Sequence, residues 1–82
     1  MQPEKVIRFG AISASVFPNE MQTNGGKKCI RNVKLQRRYR NGDGEWKSSN
    51  SFTLTDLPVA IAVLELAMEY VARKEADNGP DA

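Results

Sequence analysis

Residues 29–54 read CIRNVKLQRRYRNGDGEWKSSNSFTL, and this stretch predicts two antiparallel strands joined by a tight turn. The turn falls at residues 41–44, because Asn-Gly and Asp-Gly pairs supply the positive φ angles that a short hairpin requires. Side chains of a strand alternate between its two faces. The strand before the turn therefore has one face with Val33, Leu35, Arg37 and Tyr39 and another with Lys34, Gln36, Arg38 and Arg40.

The strand after the turn is predicted to run from about residue 45 to residue 53. Phe52 and Leu54 are large apolar side chains, so we assign their row, which includes Trp46, to the core. The alternate row is then expected outside, beside the polar row of the preceding strand: Lys47, Ser49, Ser51 and Thr53.

The N-terminal region predicts a further strand over residues 5–17, KVIRFGAISASVF. Gly10 marks a bulge or divides this region into two strands. After Gly10 one face carries Ile12, Ala14 and Val16, and the other carries Ser13, Ser15 and Phe17. Residues 18–28 contain Pro, Asn and Gly-Gly, which is typical of a long hairpin loop.

The C-terminal region predicts a long helix that begins at Thr55 or Asp56, with Pro58 in its first turn. Two apolar stripes follow helical spacing. The first is Leu57, Ile61, Leu64, Met68 and Val71, and the second is Val59, Val63, Leu66 and Tyr70.

One helix on a small sheet buries one stripe, so we expect the first stripe on the sheet and the second in a homodimer interface. In that interface the helix packs either against the partner's helix or against the partner's sheet. A sheet that curls around both stripes is the alternative. The predicted fold is α+β: a curved antiparallel sheet of three to four strands followed by one long helix. Residues 1–75 form one domain, and residues 76–82 form a disordered tail.

Composition narrows the class of protein. The 82 residues have room for one small domain. The sequence contains neither an apolar run long enough to span a membrane nor the apolar core of a signal peptide. With one cysteine and no histidine, the chain completes neither an internal disulfide nor a Cys/His metal site. No phosphate-binding loop or activated nucleophile is apparent. We therefore expect a cytoplasmic protein that is not an enzyme and needs no cofactor.

Charge is strongly segregated although the net charge is only +2. Residues 27–47 contain eight Lys or Arg and two acidic residues, whereas residues 50–82 contain six acidic and two basic residues. Such segregation favours one face that meets a polyanion. Edge protection by exposed cations is the alternative interpretation.

The predicted outer rows combine cations, hydroxyl groups and aromatic rings, which together suit phosphates and unpaired bases. Phe17, Tyr39 and Trp46 are the candidate stacking residues, of which Phe17 is the best placed to be exposed. The predicted nucleic-acid-binding residues are Ser13, Ser15, Phe17, Lys34, Gln36, Arg38, Arg40, Lys47, Ser49 and Ser51. A scaffold subunit whose basic face meets an acidic protein is the alternative function, and duplex binding by a β-ribbon is a third.

Residues 35–64, LQRRYRNGDGEWKSSNSFTLTDLPVAIAVL, resemble the C-terminal domain of the transcriptional coactivator Positive Cofactor Four, its small bacterial relatives and the related Whirly proteins. The matching pieces are residues 37–39, residues 44–47, residues 52–54 and the helix from Asp56. The resemblance implies a homodimer that binds single-stranded DNA with little sequence preference, in transcription regulation, replication or repair. It also implies association with the nucleoid.

Overall fold

The computed structural model describes residues 2–78, with side chains through residue 76. Four strands are followed by one helix: β1 Lys5–Phe9, β2 Ile12–Thr23, β3 Gly26–Arg40, β4 Trp46–Ser49 and α1 Leu57–Asn78. Each strand pairs antiparallel with its neighbour in sequence, so the sheet order is β1-β2-β3-β4. The predicted α+β fold is confirmed. The sheet has four strands, the larger of the two predicted numbers.

Gly10 divides the N-terminal region into two strands. Its φ of 59° lies in the left-handed region, which a residue without a Cβ adopts readily. The resulting turn lets β1 fold back on β2, with Ile7 opposite Ala14.

The predicted loop over residues 18–28 is wrong, since those residues continue β2 and β3. Pairing extends to Thr23 opposite Gly26, so the turn occupies only residues 24 and 25. The long hairpin contributes to an elongated molecule of 51 × 24 × 16 Å. None of residues 19–30 is buried, so this part of the hairpin lies outside the core.

The hydrophobic core lies between α1 and one face of the sheet. Ile12 and Ala14 of β2 pack against three buried helix residues: Ala60, Val63 and Ala67. Ile7, Leu35 and Phe52 lie partly buried around them. Two of the three buried helix positions are alanines.

The expected orientation of the helix is therefore wrong. Val63, assigned to the dimer stripe, is fully buried in the core of its own chain, and Tyr70 is half-buried. The stripe assigned to the sheet is instead largely exposed: Leu57 42%, Ile61 57%, Leu64 41% and Met68 63%. Val59 and Leu66 are also exposed, as expected.

Both ends of the helix are anchored by side chains. At its start, the Asp56 carboxylate accepts hydrogen bonds from the backbone N–H and the hydroxyl of Thr53, at 3.0 and 2.9 Å. Near its end, the backbone N–H of Arg31 donates to the Glu75 carboxylate at 3.3 Å. The helix includes residues 76–78, which were predicted as tail; residues 79–82 lie outside the described residues.

Candidate nucleic-acid interface

The sheet face opposite α1, called the outer face below, carries most of the predicted binding residues. Because Ile12 and Ala14 point toward the helix, the alternate residues of β2 point away from it. The register places Ser13 opposite Gln36 and Ser15 opposite Lys34. Seven of the ten predicted residues share this face: Ser13, Ser15, Phe17, Lys34, Gln36, Arg38 and Arg40. Ser13 is buried among its neighbours, so the accessible polar surface comes from the others.

The remaining three predicted residues do not lie on the outer face. Lys47 pairs with Tyr39 and Ser49 with Arg37, which places both on the helix side. Ser51 lies beyond β4, where its carbonyl oxygen accepts a hydrogen bond from Arg37 Nε at 3.1 Å. The prediction failed because β4 ends at Ser49. Residues 50–53 are not part of a strand, so side chains there do not alternate between two faces. The position of Phe52 therefore does not tell which face Lys47 and Ser49 occupy.

Trp46 takes the place on the outer face that was predicted for Lys47. It lies opposite Arg40, and its side chain is 56% exposed. The guanidinium carbons of Arg38 and Arg40 lie 4.7 and 5.2 Å from the centroid of its ring. Such distances allow cation–π attraction. The result is an exposed aromatic ring held beside two positive charges.

The other two candidate stacking residues differ in position. Phe17 lies on the outer face opposite Asn32 and is half-buried. Tyr39 lies on the helix side, where the guanidinium of Arg37 is 5.4 Å from its ring centroid. Phe17 and Trp46 are therefore the aromatic rings that the outer face presents.

Five cations occupy strand positions on the outer face, and the same set of strand positions includes no Asp or Glu. Arg8, opposite Ser13, was missed because the phase of the strand before Gly10 is unclear from sequence. The five are Arg8, Lys28, Lys34, Arg38 and Arg40. Among the described residues, none of these five forms a salt bridge.

Three cations on the helix side, by contrast, have carboxylate partners. Arg31 Nε lies 3.0 Å from Glu4, Arg37 Nε lies 3.3 Å from Asp56, and Lys47 Nζ lies 3.7 Å from Glu45. The two faces of the sheet therefore differ in whether their cations have carboxylate partners within the described residues.

The most extensive helix-side network is centred on Glu4. Its carboxylate accepts hydrogen bonds from the Tyr70 hydroxyl and from Arg31, and both interactions hold the pKa of Glu4 below its ordinary value. The same carboxylate raises the pKa of Tyr70 and of Arg31. Asp56 has a lowered pKa as well, because its carboxylate accepts the two hydrogen bonds from Thr53 and lies beside Arg37.

An open cavity of about 630 Å³ lies where β4 ends beside β3. Its lining comes from both strands and from the residue that follows β4: Val33, Lys34, Leu35, Gln36, Tyr39, Ser48, Ser49 and Asn50. Lys34 and Gln36 connect this cavity to the outer face, so a ligand on that face has space beyond the end of β4.

Comparison with family models, with curated proteins and with solved structures finds no match to this chain. Within residues 2–78, no helix combines the length and apolar character needed to cross a bilayer.

Proposed function

We propose that the outer face binds single-stranded nucleic acid, DNA in preference to RNA, with little sequence preference. In this proposal the chain acts as a homodimer in the cytoplasm, associated with the nucleoid. It serves transcription regulation, replication or repair by binding, without catalysis.

The observation that carries this proposal is the distribution of cations between the two sheet faces. Cations without a salt bridge, on strand positions that carry no Asp or Glu, attract phosphates. Phosphate contacts supply most of the affinity of a non-specific nucleic-acid binder. Lys34, Arg38 and Arg40 form one row along the outer face, with Gln36 between Lys34 and Arg38. A row of this kind suits a backbone with regularly spaced negative charges.

Trp46 favours a single strand over a duplex. An unpaired base stacks on an exposed aromatic ring whatever its identity, whereas bases in a duplex are already stacked on one another. Arg38 and Arg40 beside the ring supply charge for the phosphates that flank such a base. A sheet that combines these groups has the elements of a single-strand binding platform.

The test is a fluorescence-anisotropy titration with labelled dT, dA, RNA and duplex oligomers at several salt concentrations. The variant pair Lys34→Ala with Arg38→Ala removes two outer-face cations. The matched control pair Lys27→Ala with Lys47→Ala removes the same charge from the helix side of the sheet. Loss of two phosphate contacts should make the slope of log K against log salt shallower by roughly 1.4 for a single strand.

We expect the outer-face pair to weaken binding to all single strands alike, and the control pair to bind nearly as the parent does. Equal losses in the two pairs would show that only net charge matters. Tighter binding to duplex would indicate groove recognition. Failure to bind any oligomer would leave an acidic protein as the partner of the outer face.

A further inference from the structure

Strand β3 has an unpaired edge between two positions that are already bonded. It pairs with β2 along nearly its whole length, but it pairs with β4 only over Arg37–Arg40. Further from the turn, the backbone N–H of Arg31 donates to the Glu75 carboxylate at 3.3 Å. Residues 32–36, called the edge gap below, lie between these two positions. Among the described residues, no strand pairs with the edge gap on the β4 side.

The backbone of the edge gap offers hydrogen-bonding groups at the spacing of a strand. Backbone groups of successive strand residues point alternately to the two edges of the strand. The N–H of Arg38 donates to the carbonyl oxygen of Ala11 on the β2 side at 2.9 Å, whereas the N–H of Arg31 points the other way. The N–H and C=O groups of Val33 and Leu35 therefore point into the gap, and no described residue forms a hydrogen bond with them there.

Space for a further strand lies beside these groups. The open cavity of about 630 Å³ is lined in part by residues 33–36 of the gap and by residues 48–50 at the end of β4. The residues after β4 do not continue as a strand beside β3, because pairing ends at Ser49. Both backbone polar groups of Ser51 have other partners: its N–H donates to Ser49 Oγ at 3.0 Å, and its carbonyl oxygen accepts from Arg37 Nε at 3.1 Å. Five residues of strand span roughly 17 Å, so the gap takes a short segment.

We propose that the edge gap binds a short extended segment of another protein, which adds a strand to the sheet, and that this segment carries an acidic residue between two apolar ones. In strand addition the main-chain hydrogen bonds supply affinity, and alternate side chains supply specificity. This interaction goes beyond the proposed function, because it uses the edge of the sheet and the nucleic acid is assigned to its outer face.

The side chains of the edge gap favour this pattern. Val33 and Leu35 lie on the helix side, and Val33 is 40% exposed, so apolar residues opposite them cover apolar surface. Lys34 lies between them on the outer face and forms no salt bridge among the described residues. A carboxylate opposite Lys34 makes a favourable cross-strand charge pair. The phosphates of a nucleic acid match the edge less well, since they accept hydrogen bonds but donate none to the two C=O groups.

An NMR titration of the isotope-labelled full chain tests the proposal, with the end-blocked peptide Ser-Thr-Val-Glu-Val-Thr-Ser as the probe. We expect the amide resonances of Val33 and Leu35 to shift and their hydrogen exchange to slow. The same peptide with methyl groups on the backbone nitrogens of its three central residues keeps every side chain but loses those donors, so it should cause neither change. A peptide with Lys in place of Glu should cause smaller shifts, because its charge repels Lys34.

A proline substitution tests the location of the site. Val33→Pro removes one backbone donor of the gap and leaves the pairing with β2 intact, since this N–H points away from β2. Cys29→Pro is the matched control, because its N–H faces the same edge outside the gap. We expect Val33→Pro to lose the peptide-induced shift at Leu35 and Cys29→Pro to keep it. The comparison of the peptides uses the parent chain, so it does not depend on whether either variant folds.

Several outcomes overturn the inference. Equal shifts with the methylated peptide would show attraction by side-chain charge alone, and no shift at millimolar peptide would show that the gap takes no strand. Slower exchange at Val33 and Leu35 on adding a dT oligomer would assign the gap to nucleic acid. Slower exchange on concentrating the free chain would assign it to a second copy.

These measurements also separate the two proposals. A chain that binds oligonucleotides but not the peptide loses only the strand-addition site. A chain that binds the peptide at Val33 and Leu35 but no oligonucleotide loses only the proposed function.

Discussion

The two faces of the sheet carry equal numbers of cations at strand positions but use them differently. The outer face has Arg8, Lys28, Lys34, Arg38 and Arg40, and the helix side has Lys5, Lys27, Arg31, Arg37 and Lys47. Three of the helix-side cations have carboxylate partners within 4 Å, and a fourth, Lys5, lies 5.9 Å from the ring centroid of Tyr70. Residue type alone therefore does not identify a binding cation. What distinguishes the faces is whether the chain itself supplies the opposite charge.

The largest expected effect is on affinity and comes from the outer face. Trp46→Ala should weaken single-strand binding by roughly 1–3 kcal/mol, about 5- to 150-fold, because a stacking surface is lost. Trp46→Phe should recover much of the affinity, since a smaller aromatic ring remains. Anisotropy titrations of the three proteins measure the difference.

Tyr39→Ala is the control for Trp46→Ala, since Tyr39 lies one residue from Arg40 but on the helix side. It should change affinity little. A loss at Tyr39 as large as the loss at Trp46 would mean that the ligand is not confined to the outer face.

The next effect is on stability and comes from the helix side. Arg31→Met should lower the free energy of unfolding, because Glu4 loses the partner that its carboxylate bonds at 3.0 Å. One buried Arg31 nitrogen, Nη1, has no hydrogen-bond partner in the described residues, which reduces the cost of removing the side chain. Urea unfolding measures the change.

Arg38→Met is the matched substitution on the outer face. It should lower the free energy of unfolding by no more than about 1 kcal/mol, since it removes an exposed cation that has no salt bridge among the described residues and contacts the Trp46 ring. If Arg38→Met destabilises the fold as much as Arg31→Met does, the division of roles between the faces is wrong.

The smallest effect concerns pH. Glu4 and Asp56 have pKa values below those in the unfolded chain, so their contribution to stability is fully present above ordinary carboxyl pKa values near 4. That contribution is lost as the pH falls through their lowered folded-state values. Glu4→Gln should therefore make thermal unfolding less sensitive to acidification below about pH 4.

Strand pairing around the 41–44 turn was predictable because the sequence signals there are local. Asn41 forms the turn through its side-chain oxygen, which accepts hydrogen bonds from the N–H groups of Asp43 and Glu45 at 2.9 Å each. Alternation then places Lys34, Gln36, Arg38 and Arg40 correctly, since β3 is regular from Gly26 to Arg40.

The positions of Trp46 and the helix stripes were not predictable in the same way. Alternation fails beyond Ser49, where the strand ends, and nothing local in the sequence marks that end. For the helix, apolar spacing assigned Leu57 and Ile61 to the sheet side, whereas the buried helix residues are Ala60, Val63 and Ala67. The end of β4 and the buried face of α1 both depend on tertiary packing. The residue pattern of a single element does not determine either of them.

The strand order has a consequence for how the chain assembles. Every strand pairs with its neighbour in sequence, so the sheet can form by successive short loop closures, each with a small loss of chain entropy. The contacts that join distant parts of the chain, Glu4 with Tyr70 and Arg31 with Glu75, form across 66 and 44 residues. We therefore expect the hairpins to form early, and the closure of the helix end onto the N-terminal region to be a late step of folding.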